Sequence, residues 1–339
     1  MKLAKRLTLL TVAVALSLPG YGRDVTKVGT TAAPFLGIGV GARPLALGGA
    51  FVSIADDASA LYWNVAGVAK QTRPQIIFNH SDWLADINFD YAGIVVPAGY
   101  LGTFGVSLTS LSMDDMEQTT EDQPNGTGVE FGVSSVAFGL HYARALTDRF
   151  SIGFTGKYIR ESIWNSSASG MAVDVGTLFE TPFWGLRLGM AITNFGTKMR
   201  MAGDDLLIQV DPDPTISGNN ERINANLETG RFDLPLNFRF GMSMDVVDTE
   251  QSRLTVAVDA THPNDNAESV DAGFEYVFNN FVALRGGYRN LFIEDSEQGF
   301  TVGGGINYRL QTFGFLLDYA YEDFGRLENI QKFTIQLLF

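Results

Sequence analysis

The feature that most constrains this chain is an alternation of period two, repeated in segments of about ten residues from Gln75 onward. Leu234, Leu236, Phe238, Phe240 and Met242 alternate with Pro235, Asn237, Arg239, Gly241 and Ser243. Ala272, Phe274, Tyr276 and Phe278 alternate with Asp271, Gly273, Glu275 and Val277. Side chains along a strand point to opposite faces, so one face is large and greasy and the other mostly small, polar or charged. In a soluble sandwich the apolar face packs on a second sheet about 10 Å away, and the other face meets water. Here the polar face mixes glycines with isolated charges of both signs, among them Lys157, Asp174, Arg187, Arg239, Asp259, Asp271, Glu275 and Arg285. That mixture suits a barrel lumen, and about ten residues is the length of a tilted membrane strand. The expected fold is an all-β membrane protein, an antiparallel transmembrane β-barrel with these charges facing inward.

Segments begin near Gln75, Asp86, Leu101, Glu130, Ser151, Ala168, Trp184, Leu234, Arg253, Ala267, Phe281, Gly299, Thr312 and Leu327. That is about fourteen, an even number as single-chain bacterial barrels require. The connections alternate in length. Those near Pro97–Tyr100, Leu146–Arg149, Thr181–Phe183, Asp248–Ser252, Asn279–Asn280 and Leu310–Gln311 are short, while Ser112–Val129 and Gly196–Asp233 are long. A first strand starting in the periplasm puts every long loop outside and the C-terminus inside. Trp83 and Trp164 fall near outer strand ends, and Tyr100 and Trp184 near periplasmic ends, where amphipathic rings collect. The last residues place Phe333, Ile335, Leu337 and Phe339 on one face. A terminal aromatic preceded by alternating apolar residues resembles the signal that outer-membrane barrels present to the barrel-assembly machinery.

Composition narrows the function. Lys2, Lys5 and Arg6 precede an apolar run from Leu7 to Leu18, followed by Pro19, Gly20 and Gly22. This is a secretory signal over residues 1–22, too short to span a membrane. A plug segment over 23–74 and a barrel over 75–339 follow. The net charge of −14 excludes nucleic acid as a partner, because phosphate binding needs clustered positive charge. The absence of cysteine excludes disulfides, thiolate metal sites and cysteine nucleophiles. His80, His141 and His262 have no metal-ligand spacing and are expected in the lumen or in loops. No G-x-S-x-G is present, and Gly37-x-Gly39-x-x-Ala42 lacks the βαβ context of a dinucleotide site. Neither enzyme activity nor a cofactor is expected. Asp114, Asp115, Glu117, Glu121 and Asp122 in one long loop, and Asp204, Asp205, Asp211 and Asp213 in the other, do not follow an EF-hand pattern. They read as solvated outer loops, with divalent cations bridging to lipopolysaccharide, or a basic partner, as the sharper alternative.

Ahead of the strands stands "GARPLALGGAFVSIADDASALYWNVAGVA", Gly41 to Ala69. Asp56 and Asp57 precede a run in which Ala58, Leu61, Val65 and Val68 share a helical face. The spacing predicts a short helix before the first strand, capped by an acidic residue and ended by Gly67. Such a segment belongs inside or beneath the lumen.

This segment resembles the N-terminal signature of the PorV/PorQ family, relatives of the FadL-type fatty-acid channels. The resemblance covers the signal, the signature, the strands and the aromatic terminus. It implies a FadL-like barrel with a lumenal plug and a bacterial outer-membrane location. An Asn-Pro-Ala hatch motif of FadL-type proteins matches Asn64, Val65 and Ala66, with Val65 where that pattern has proline. Two functions are implied. PorV-like members take part in type IX secretion, passing cargo with a C-terminal sorting domain to a surface attachment complex. FadL-like members let hydrophobic compounds diffuse across the outer membrane. The secretion role ranks first, because the whole signature resembles PorV/PorQ more closely. A lumen packed with charge pairs favours it, and a continuous apolar tunnel favours transport.

Overall fold

The computed structural model describes residues 27–213, 215, 222–293, 296–310 and 312–339. The signal reading for residues 1–22 lies outside them. Fourteen antiparallel strands form one closed barrel. They are β1 (Gln75–Asp82), β2 (Asn88–Pro97), β3 (Thr103–Ser112), β4 (Val133–Thr147), β5 (Phe150–Ile163), β6 (Ser166–Glu180) and β7 (Arg187–Gly196), then β8 (Asn237–Asp248), β9 (Ser252–Pro263), β10 (Ser269–Phe278), β11 (Val282–Leu291), β12 (Phe300–Arg309), β13 (Gly314–Asp323) and β14 (Asn329–Leu338). Neighbours in sequence are neighbours in the wall, and β1 closes on β14 from Gln75↔Leu338 to Asp82↔Gln331. Every strand begins within three residues of its expected start. Among the described residues, no helix is long and apolar enough to cross a membrane.

The alternation becomes two faces. Phe78, Phe104, Phe138, Phe154, Met190, Phe274 and Phe333 point outward and are exposed, as a lipid-facing band requires. Tyr100, Trp164 and Trp184 stand exposed at strand ends. Trp83 does not join them. It turns inward, edge-on to Phe324 at 5.6 Å, with the buried Lys332 ammonium over its ring. His80 also departs from expectation. It lies on a strand and faces outward, its Nδ1 2.7 Å from the Asp90 carboxylate.

Short turns gather at one end of the barrel. In one of them Asn279 and Asn280 both take positive φ, 49° and 51°, the geometry that matches the twist of a tight hairpin. The two long connections emerge at the other end. Each folds a small two-stranded sheet of its own, Met116–Glu117 with Glu130–Phe131 and Leu207–Val210 with Ile223–Asn226.

Candidate functional site

The lumen is filled by the chain's own N-terminal segment. It enters at the long-loop end, where the Ala32 amide donates to the Asp233 carbonyl at 2.9 Å and the Ala33 amide to Glu161 at 3.1 Å. It leaves at the short-turn end into β1. Between these points it sweeps around the inner wall. At the seam, the Gly41 amide donates to Asn79 Oδ1 of β1 at 3.2 Å and the Ala42 amide to Thr334 Oγ1 of β14 at 2.8 Å. Thr334 Oγ1 in turn donates to Asn79 Oδ1 at 3.0 Å. Helix α1 (Ala42–Ala46) then lies along β11 to β14. Further on, the Phe51 and Val52 amides both donate to Asp259 Oδ2 of β9 at 2.8 Å.

Helix α2 spans only Ala60–Trp63. The expected helix, ended by Gly67, is broken at Asn64, whose backbone is extended at φ −160° and ψ 97°, and a 3-10 turn follows over Val65–Lys70. The cause is the Asn64 side chain. Its Nδ2 donates to Val52 O at 2.8 Å and to Thr177 O of β6 at 3.0 Å, and its Oδ1 accepts the Ala66 amide at 3.2 Å. Local side-chain bonding of this kind competes with the helix. Gly67 lies inside the turn, where an added Cβ would collide with the Ala55 carbonyl. The wall makes room in the same way. A Cβ on Gly176, Gly189 or Gly273 would strike Asn64, Val52 or Leu47.

Trp63 anchors the plug. It is 2% exposed, its Nε1 donates to Val40 O at 2.7 Å, and Phe51 packs edge-on at 6.4 Å.

Asp56 and Asp57 were expected to cap the helix. Instead Asp56 binds Arg43, and Asp57 is shared between Arg43 and the N–H and hydroxyl of Ser59. Arg43, absent from the sequence reading, is the hub. Its guanidinium meets Asp56 at 2.5 Å, Asp57 at 2.7 Å and Glu275 of β10 at 2.7 Å. Glu275 also binds Arg285 of β11 at 2.7 Å, and Arg285 binds Asp318 of β13 at 2.6 Å. Burial opposes the charge of Arg43, but Asp56, Glu275 and Asp57 outweigh it and hold its pKa above the ordinary value. Burial alone would raise the pKa of Asp56, and Arg43 reverses that and lowers it. With Arg253, whose guanidinium lies 3.7 Å from Glu275, seven charges thus form one chain from plug to wall.

The other inward charges are placed as follows. Asp174 and Asp271 each sit where a β-bulge interrupts the register, between Val173 and Val175 and between Val270 and Ala272. Each accepts the amide of an asparagine at positive φ on the next strand, Asn194 at 2.7 Å and Asn290 at 2.9 Å. The bulges free those amides from the ladder, and the carboxylates satisfy them. Asp174 also pairs with Lys157 at 2.7 Å, and Arg187 with Asp245 at 3.1 Å. Arg239 differs. Among the described residues no carboxylate lies within ion-pair distance, and its guanidinium stacks 4.7 Å from the Trp63 ring centroid and 6.0 Å from that of Tyr62. Lys332, fully buried, donates to Gly39 O. At the chain end, Phe333, Ile335, Leu337 and Phe339 form part of the outer wall, with the Phe339 ring 5.8 Å from Phe313.

A cavity of about 540 Å³ opens at the short-turn end. Arg43, Asp56, Arg253, Glu275, Arg285 and Asp318 line it, so it is polar and its floor is the ion-pair chain. A separate small space of about 20 Å³, room for about one water, lies beside Tyr62, His141 and Lys157.

A family model described as type IX secretion system protein PorV matches residues 22–263. Among solved structures, the chain is similar to the Pseudomonas putida toluene transporter TodX, with 12% identity, a TM-score of 0.55, and coverage of 88% of this chain and 97% of that one. It is also similar to the Ralstonia pickettii toluene transporter TbuX, with 11% identity, a TM-score of 0.52, and 88% and 97% coverage. A Pseudomonas aeruginosa FadL homologue follows at 12% identity and a TM-score of 0.50, with 86% and 96% coverage. At such identities the likeness shows a shared FadL-type barrel. No curated protein matches the sequence.

Proposed function

Because the chain belongs to the PorV family of type IX secretion system proteins, we propose that it is an outer-membrane secretion component, not an enzyme. It binds exported proteins that carry a C-terminal sorting domain and hands them to a surface attachment complex. The observation that carries this reading is the filled lumen. A plug tied by Arg43, Asp259, Asn79 and Thr334 to strands around the wall occupies the lumen, and the cavity left at the short-turn end is floored by ion pairs. Burying unpaired hydrophobic cargo among these charges is unfavourable. The work then falls to the end that carries the long loops.

The runner-up reading is passive transport of hydrophobic compounds, favoured by the fold shared with the toluene transporters. The two readings separate on whether the plug must move. The chain has no cysteine, so Ala42→Cys with Thr334→Cys gives a clean bridge between plug and wall. In a deletion strain, a sorting-domain reporter is expected to stay off the cell surface. The oxidised double variant is expected to restore its display as well as the unmodified chain. Reporter display that is intact without the protein, together with toluene uptake that stops when the bridge forms, reverses the ranking.

A further inference from the structure

The small sheet in the longer loop, Leu207–Val210 paired with Ile223–Asn226, stands apart from the barrel. Among the described residues neither strand has a second neighbour. An isolated two-stranded sheet is marginal in water, and an open edge is a template for pairing with another chain. The register shows which groups the edge offers. Leu227 N donates to Leu206 O at 2.9 Å, and bonded and non-bonded pairs alternate along an antiparallel ladder. Ile208 with Ala225 and Val210 with Ile223 therefore exchange the inner bonds. Leu207 and Gln209 turn their N–H and C=O groups to the free edge.

The edge is short, four residues, but Leu207 to Val210 carries no lysine, proline or bulge to blunt it further. Leu207 is 49% exposed and Val210 40%. Asp204 and Asp205 precede the strand, and Asp211 and Asp213 follow it. Edge pairing between two copies of this chain would bring these carboxylates together, and like charges oppose it.

We propose that the Leu207–Val210 edge is a docking strand for an extended segment of an exported protein. The segment adds as a third strand, with a basic side chain facing Asp204 where the strand begins. Recognition through main-chain hydrogen bonds tolerates many sequences, which suits a receptor for varied cargo. The proposal rests on the secretion reading above and names the contact it would use.

The test uses the full chain purified in detergent and a purified exported protein bearing a sorting domain. Proline at 209 removes an outward N–H and leaves the hairpin ladder intact, whereas alanine keeps the N–H. Gln209→Pro is expected to weaken binding about ten-fold or more, and Gln209→Ala by no more than about two-fold, with unchanged melting. Binding is expected to weaken with salt, and hydrogen exchange at the Leu207 and Gln209 amides to slow in the complex. Unchanged binding of Gln209→Pro, or protection confined to other amides, overturns the edge while leaving the secretion reading intact. Protection of the same amides at high concentration without cargo means self-pairing and also overturns it. If the unmodified chain binds no sorting-domain protein, the secretion reading itself falls, and the edge proposal with it.

Discussion

Asn64 and Val65 show how a single position decides the shape of the plug. The Asn64 amide holds three backbone groups, on Val52, Thr177 and Ala66, and is itself 1% exposed. Replacing it with alanine leaves those groups buried without partners, at about 1–3 kcal/mol for each group truly orphaned. Val65 is a contrast. It stands where the hatch pattern has proline, yet its backbone already suits one. The preceding residue is extended, Val65 opens a 3-10 turn, and no bond to its amide is seen among the described residues. Asn64→Ala is expected to lower the melting temperature in detergent by several degrees, while Val65→Pro leaves it unchanged or raises it, by about 0.5 kcal/mol in stability. A drop in melting for Val65→Pro would show that the turn is not set as described. Sequence singled out both residues but read a continuous helix through them, because apolar spacing registers a shared face and not a side chain that turns back on its own backbone.

The plug segment and the wall strands meet through partners far apart in sequence. Arg43 and Glu275 are separated by 232 positions, which is why the hub was invisible to spacing while Glu275 was legible as an inward charge. Lys332, Thr334 and Gln336 alternate with the residues of the terminal signal, so the same period of two puts them inward, although they were absent from the sequence reading. A buried ion-pair chain adds little to stability while intact, but removing one member strands its partners. Glu275→Leu leaves Arg43 and Arg285 facing each other and is expected to cost about 3–5 kcal/mol. The readout is loss of the compact, heat-modifiable band on gels at temperatures where the parent chain keeps it. Survival of that band unchanged would mean that the plug is held elsewhere, for example by Asp259 alone.

For the molecule as a whole, sequence was a good guide to the barrel and a poor one to its contents. Strand count, starts and the sorting of long and short connections followed from alternation and loop length, since both are imposed residue by residue along each strand. The path of the plug depends on inward glycines, bulge carboxylates and asparagines at positive φ, whose meaning appears only when distant strands stand side by side. One of these arrangements bears on how the molecule is made. Asn79 and Thr334 belong to the first and last strands, and each takes an amide of the plug at the line where the wall joins itself. A cylinder that zipped shut while empty would leave Asn79 and Thr334 with only each other, and the Gly41 and Ala42 amides without these acceptors. With the plug in place they are satisfied at the moment of joining. Asn79→Val with Thr334→Val is expected to slow refolding from urea into micelles and lower its yield, while strand content in the molecules that do fold is unchanged. Unaltered rate and yield would separate the two events. The order implied is insertion before closure, so the barrel is wrapped around its own leading segment as a mould sets around a former.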